Sequence, residues 1–493
     1  MLSAPLAAIT ISAVDTLIVV VYLAAVTWLG IRIGRGSRNV DDYLLGDRSL
    51  PWWAVLGSIV ATETSTATFL SVPGVAFGRG GNFQFLQLVM GYLIGRIIVA
   101  VWLLPLYFEG RLFTAYEVLH KRFGGFVQKT ASLIFLLTRN VGDGLRLFLT
   151  AIVVREVTGV GLTASIVVVG LCTVAYTFVG GMKAVVWSDC VQLVIYLIGG
   201  IAALLLMVQQ LPGGWDGLLE FARRENKLSV FNPAFNFTDK HTLLAGLIGG
   251  ALLTLGTHGT DQMMVQRYLC TRGRGDAAKA LIGSGLVVFF QFVLFLSIGV
   301  ALAAWYRRFS PDTVLVKDQE FIHFIVHHMP AGLVGFTIAA VFSAAMSTLS
   351  SSLNSSAGAV VSDFLRSPGT PESQLRLTQI LTLVFGVVQM LIAIGFGLLE
   401  VRQNLVQEVL AVAGFSSGVL VGVFALGVLT QRVDQLSAVC GMVAATAALV
   451  YAKFGTPIAW PWYTPIGASV TMVVGLFVSL ARSKHSGDAH VES

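Results

Sequence analysis

Several short stretches of this chain put polar or ionisable side chains among apolar neighbours, and their types and spacing point to ion and solute binding. Residues 61–66 read Ala61, Thr62, Glu63, Thr64, Ser65, Thr66, with Thr68, Pro73 and Gly74 further along. β-Branched and hydroxyl side chains weaken a helix at such a place. A local unwinding there frees backbone carbonyls that can coordinate a cation. Segment 343–356 reads SAAMSTLSSSLNSS, eight hydroxyl residues in fourteen. Ala344, Ser347, Thr348 and Ser351 fall at i, i+3, i+4 and i+7 on one helix face, with Ser350 beside it. A stripe of neutral oxygens suits a hard monovalent cation that must bind weakly enough to leave, whereas a divalent ion calls for more carboxylates. Close helix packing also favours small residues; it accounts for Ala344 and Ala345 but does not require so many hydroxyls together.

The ionisable residues add to this picture. Asp189 follows the Gly180-Gly181 turn in Val185-Val186-Trp187-Ser188-Asp189, and Gly256-Thr257-His258-Gly259-Thr260-Asp261-Gln262 forms a second glycine-rich polar break. Arg139, Asp143 and Arg146 stand at i, i+4 and i+7, so Asp143 can pair with either arginine on one helix face. One positive charge is then left for Glu63 or for an anionic group of a solute. Glu63 itself must be neutralised by a partner, a proton or the solute. It is read in two ways: as the partner of Arg139 or Arg146, or as a hydrogen-bond acceptor for the hydroxyl or amino groups of a polar, non-anionic solute.

The elements that position these residues are membrane spans. The chain of 493 residues is 55% hydrophobic and 12% charged, half the charged share of a soluble domain, roughly 25%. Apolar runs able to cross ~30 Å of hydrocarbon recur throughout. Thirteen are predicted, at 11–33, 51–78, 83–107, 129–154, 160–179, 184–208, 241–262, 277–305, 331–362, 377–399, 404–429, 433–452 and 462–481. The loops on one side hold eighteen Lys and Arg, including Arg32, Arg35, Arg38, Arg111, Lys183, Arg272 and Arg366; the other side holds eleven, seven of them in its two longest loops. This bias places the N-terminus outside and the C-terminus, with its 482–493 tail, in the cytoplasm. The first run lacks a basic leader and a cleavage site, so it is expected to stay as a span.

Composition excludes several classes. The net charge of +6 is scattered in short clusters between apolar runs, with no basic stripe for nucleic acid. Cys172, Cys190, Cys270 and Cys440 have no metal-ligand spacing and are expected to be reduced packing residues. No nucleophile–base pair suggests an enzyme, no appended output domain suggests a sensor, and no ATP-binding motif is found. Spans 2–6 and 7–11 form two five-helix sets whose first members are both interrupted, the sequence mark of a midplane binding site between inverted repeats. Secondary transport of a small polar solute explains these features together. Coupling to protons is the rival to coupling to sodium, since Glu63, Asp143, Asp189 and Asp261 could all titrate.

At these residues the chain resembles the sodium:solute symporter family, which includes bacterial proline, galactose and sialic acid carriers. The resemblance runs from Asp41-Asp42-Tyr43 to span 13. It rests on Gly95-Arg96 with Leu104-Pro105-Leu106-Tyr107, on Gly180-Gly181 through Trp187, on Asp261-Gln262-x3-Gln266-Arg267-Tyr268 and on 344–356. It implies an all-α polytopic protein of the bacterial inner membrane with a five-plus-five, LeuT-like inverted-repeat core. One helix (11–33) precedes the repeats 51–208 and 241–429, and two helices (433–481) follow them. It implies a sodium site at Ala61, Thr64, Ala344, Ser347 and Thr348. A second sodium site, as in the sialic acid carriers, maps to Asp189, Ser347, Ser350 and Ser351. Substrate positions map to Thr62, Glu63, Ser65, Thr68, Phe83 and Gln87, with Arg139 and Arg146 alongside. The arginine that binds sialic acid has no counterpart: Gly142 stands there, with Arg139 and Arg146 three and four residues to either side. The partners expected are a sugar, amino acid or carboxylate, and the lipid bilayer; no protein partner is evident.

Overall fold

The computed structural model describes residues 12–34, 39–110, 112–313, 315, 319–365, 370–399 and 405–488. Ile11, Asn404 and residues 489–493 of the tail lie outside these, as do Arg35, Arg38, Arg111 and Arg366 of the charge count. The described chain is helical, with one isolated bridge between Leu50 and Thr271. Nine of its helices are long and apolar enough to cross a membrane, ten if one bent pair counts as a single span.

The bent pair is α2 (Trp52–Glu63) and α3 (Thr66–Phe77), at 60° to each other. It follows α1 (Ala13–Gly34) and precedes α4 (Leu86–Ile98), α5 (Gly125–Thr158) and α6 (Leu162–Gln210). At 1.5 Å per residue, a straight α6 of 49 residues would extend to roughly 74 Å, more than twice the hydrocarbon thickness. It is broken at Gly181, whose φ of 53° and ψ of −159° are open to glycine alone and whose Cβ would lie 2.6 Å from the Tyr43 carbonyl. The turn expected between spans 160–179 and 184–208 is therefore made by one residue.

The second interruption is more gradual. A short helix α7 (Gly250–Thr254) sits between two π-helical turns, Ala245–Gly249 and Leu255–Thr260. The chain then passes through Asp261 in an extended conformation into α8 (Gln262–Leu269), which Asp261 caps by accepting from the Met263 N–H at 2.8 Å. Side-chain capping of this kind is what restarts a helix after a break. The longer helices that follow are α9 (Arg274–Phe309), α10 (Leu333–Ala359), α11 (Pro371–Leu398), α12 (Leu405–Leu429), α13 (Gln435–Gly455) and α14 (Tyr463–Asp488).

Burial separates a core from a jacket. The most apolar stretch of α10 is 89% buried, although it carries the serine stripe, whereas those of α1 and α11 are 22% and 28% buried. Hydroxyls at the centre and apolar side chains outside reverse the water-soluble pattern, and they fit a protein whose solvent is lipid. The jacket helix α1 is clasped to the core by the buried Asp15, whose Oδ1 accepts from the Gly332 and Gly335 N–H groups at 2.7 and 2.6 Å at the start of α10.

Candidate functional site

The two interruptions face each other across a cavity of about 140 Å³, entered by side chains from α2, α4, α5, the 245–261 segment and α12. Thr62, Glu63, Thr68, Arg139 and Arg146 line it, as do His258 and Asp261. Three other candidates do not. Ser65 and Gln87 are buried elsewhere and Phe83 packs against the core. The Gln87 amide donates to the His241 carbonyl at 2.9 Å and accepts from the Asn232 N–H at 3.0 Å, so it anchors the 232–241 loop.

The partner of Glu63 is neither Arg139 nor Arg146. It is Arg96, fully buried on α4, which forms an ion pair with Glu63 Oε2. Arg96 Nη2 also lies 3.1 Å from His258 Nε2. A guanidinium only donates, so Nε2 accepts and the ring proton sits on Nδ1, beside the Thr257 hydroxyl at 3.1 Å. His258 Nε2 also lies 3.5 Å from Glu63 Oε2. On α5, Asp143 takes both arginines, with Arg139 Nε at 2.7 Å and Arg146 through Nη1. Arg139 Nη1 reaches Asp261 Oδ2 at 3.6 Å. The site thus holds three guanidinium groups and three carboxylates, and its formal charge cancels. Its unspent hydrogen-bonding capacity includes Arg146 Nε, buried and without a partner. Gly142, on the same helix, faces open space where a side chain could stand.

The first ion candidates gather at the end of α2. The Thr64 N–H makes the final helical bond, to Val60 O at 3.1 Å, and Thr64 and Ser65 are extended, so the carbonyls from Ala61 onward lose their helical donors. Thr348 on α10 reaches this edge, its Oγ1 lying 2.9 Å from Thr62 O and 3.3 Å from Ala344 O. The Thr64 hydroxyl points away, donating to Val60 O and accepting from Tyr196 and Gln291, so only its carbonyl is available. Carbonyl and hydroxyl oxygens without a net charge suit sodium.

The second set centres on Asp189, fully buried in the second arm of α6. Ser347 Oγ donates to its Oδ1 at 2.6 Å, while Ser58 and Thr62 donate to Oδ2. Ser351 faces the same space through Thr62, 3.2 Å away. Ser350 bonds back to Ser347 O at 3.2 Å and is set against the Tyr176 phenol. The residue that sequence reasoning missed here is Arg267, whose Nη2 lies 3.2 Å from Asp189 Oδ2. Its signal was an arginine inside a polar-to-apolar span end, the same signal that Arg96 gives on α4. Both stand in motifs that carry the resemblance, and Arg267, one of the eighteen Lys and Arg assigned to loops, is instead fully buried.

The family model described as the sodium:solute symporter family matches residues 43–445. The sodium/sialic acid symporters NanT of Aliivibrio fischeri and SiaT of Proteus mirabilis are each 28% identical to this chain over 92% of it, and over 90% and 92% of their own lengths. The structure of a Na⁺-coupled sialic acid symporter in a substrate-bound outward-open state superposes with a TM-score of 0.87 at 26% identity, covering 95% of this chain and 98% of the other. A nucleobase-cation-symport transporter, MHP1, shares the fold with a TM-score of 0.59 at 14% identity.

Proposed function

This chain belongs to the sodium:solute symporter family, and on that premise we propose that it carries a small polar solute of no net charge, whether polyhydroxylated or zwitterionic. The protein is a multi-pass membrane symporter in which sodium drives the solute by alternating access. The observation that carries the solute class is the cancellation of charge in the cavity between the two helix breaks. A further anion would meet Glu63 and Asp261, and both arginines of α5 are already bound to Asp143. A neutral solute would instead donate to Glu63 or Asp261, both of which line the cavity. The sialic acid carriers among its relatives are a chemical precedent for a polar cargo, but Gly142 leaves this chain without the carboxylate-binding arginine expected in them.

The finer architecture belongs to the same proposal. Thirteen spans arise if α5, both arms of α6 and the 245–269 segment each cross the bilayer; α5 fails a test of apolarity because of its own site residues. Repeats 51–208 and 241–429 would then each open with an interrupted helix, as Thr64–Ser65 and Asp261 suggest, with the N-terminus outside. Sodium is held at Ala61, Thr64, Ala344, Ser347 and Thr348.

The test is a thermal-shift screen of the purified protein against sugars, amino acids and carboxylates, in sodium and in potassium. A ligand present at 100 times its Kd adds about 2.7 kcal/mol of stability. Stabilisation by uncharged or zwitterionic solutes in sodium alone is expected. Stabilisation by anions only, or to the same degree in potassium, would refute the reading.

A further inference from the structure

Arg267 stands where a cation is expected to bind. Its side chain is fully buried, and its nitrogens are spread over four helices. Nε donates to Ser58 Oγ at 2.8 Å and Nη1 to Met263 O at 2.8 Å, while Nη2 reaches Thr62 Oγ1 at 2.5 Å, Asp189 Oδ2 at 3.2 Å and Ser351 Oγ. Asp189 and Ser351 are two of the oxygens that a second sodium would need. Gln192, one helical turn beyond Asp189, is fully buried on the same arm of α6 and lies against the Tyr22 and Tyr176 phenols.

We propose that Arg267 is a tethered cation that competes with a second sodium ion for Asp189. With the arm docked the carrier binds one sodium, at the end of α2. A second ion enters only when α8 withdraws the arm. Two like charges cannot share one buried carboxylate without strong mutual repulsion, because the low dielectric leaves them unscreened. The docked arm also pins α8 to α2, α6 and α10, so displacing it releases the helix that follows the second break. The inference rests on the reading that sodium binds beside α10.

The experiment is equilibrium binding of radioactive sodium to the full-length protein in lipid nanodiscs, with solute absent. Wild type is expected to bind one ion per chain. Arg267→Gln is expected to bind two, the additional one at least tenfold more tightly than any second phase of wild type, and adding Asp189→Asn should remove it. Arg267→Lys keeps the charge and should keep the wild-type count. One ion in Arg267→Gln, two in wild type with unchanged affinity in the variant, or proton uptake in place of sodium would each overturn the proposal. If Arg267→Gln does not fold, amide exchange across residues 262–269 of wild type serves instead. Rising sodium should speed it relative to potassium, and unchanged or slower exchange overturns the idea. A wild type that binds no sodium at all refutes the ion site on α10 instead. Thr348→Ala, which removes only the first ion, keeps the two failures distinguishable.

Discussion

Replacing Glu63 with glutamine tests the most specific feature of the cavity, its buried ion pair. Arg96 is fully buried, and the Glu63 side chain is 18% exposed. An arginine cannot lose its proton in a protein, so removing the carboxylate strands a buried charge, for which the usual cost is about 3–5 kcal/mol. Glutamine keeps one oxygen towards Nη2 and recovers part of this, so about 2–4 kcal/mol is expected. Arg96 has no second acceptor of similar strength: its Nε and Nη1 are already without partners, and His258 Nε2 is its other contact. The converse change should be milder. In wild type His258 Nε2 lies 3.5 Å from Glu63 Oε2, so in Arg96→Met the carboxylate, itself partly exposed to the cavity, keeps a polar neighbour, limiting the loss to about 1–2 kcal/mol. The double variant Glu63→Gln/Arg96→Met carries no stranded charge and should regain most of the stability, with a coupling of about 1–3 kcal/mol. Thermal unfolding of the four proteins in one lipid environment, with solute affinity measured on each, provides the readout. Wild-type stability of Glu63→Gln would refute the buried pair. Unchanged solute affinity in the folded double variant would refute any part for Glu63 in solute binding.

Three further outcomes are expected. Thr348→Ala removes a hydroxyl from a cation with few ligands, so apparent sodium affinity should fall tenfold or more, a loss on the order of 1–3 kcal/mol, read from the sodium dependence of uptake. Lys227→Met should loosen the C-terminal end of α3, because the buried ammonium is bound to four carbonyls, of Ala76, Phe77, Gly78 and Gly81, at 2.8–3.2 Å. Hydrogen exchange across 77–82 should quicken by one to two orders of magnitude, corresponding to about 1.5–3 kcal/mol for bonds to a charged group. Gly181→Ala forces a Cβ into the Tyr43 backbone at a glycine-only conformation, and a loss of at least about 2–3 kcal/mol, seen as a lower unfolding temperature, should follow.

What was legible in the sequence was whatever alternates with lipid. Apolar runs and the polar residues that interrupt them gave the helical class, both breaks and the burial of the serine stripe, because a hydroxyl facing hydrocarbon is costly wherever it falls. Asp143 was legible as well, since its two arginines are one turn away on the same helix. Partners across helices were not. Glu63 meets Arg96 and Asp189 meets Arg267, pairs separated by 33 and 78 residues, and nothing in local spacing distinguishes Arg96 from Arg139 as a partner. Gln87 is the opposite case: the resemblance implies a solute contact there, whereas in the fold its amide satisfies the His241 carbonyl and the Asn232 N–H of the following loop.

Stoichiometry decides how far this transporter can concentrate its cargo, and if Arg267 competes with sodium as proposed, the decision lies on one short helix. One sodium crossing ~100 mV gains about 2.3 kcal/mol, and a tenfold gradient adds about 1.4 kcal/mol. An uncharged solute needs no electrical work of its own, so one ion supports accumulation of several hundredfold and two ions about 10⁵-fold. Helix α8 meets both cargoes. Its cap, Asp261, lines the cavity and faces Arg139, while Arg267, six residues on, is docked at Asp189. Six residues of helix span about 9 Å, so a rigid element carries any displacement at one end to the other. A solute that drew Asp261 away from Arg139 would shift the arm on Asp189, and an ion that expelled the arm would reposition the cap. Coupling of this kind needs one element with two positions that both ligands bias. The double substitution of Asp261→Asn with Arg267→Gln should therefore give sodium and solute affinities that no longer depend on each other, while either single change leaves part of the dependence. Full mutual dependence in the double variant would place the coupling elsewhere in the fold.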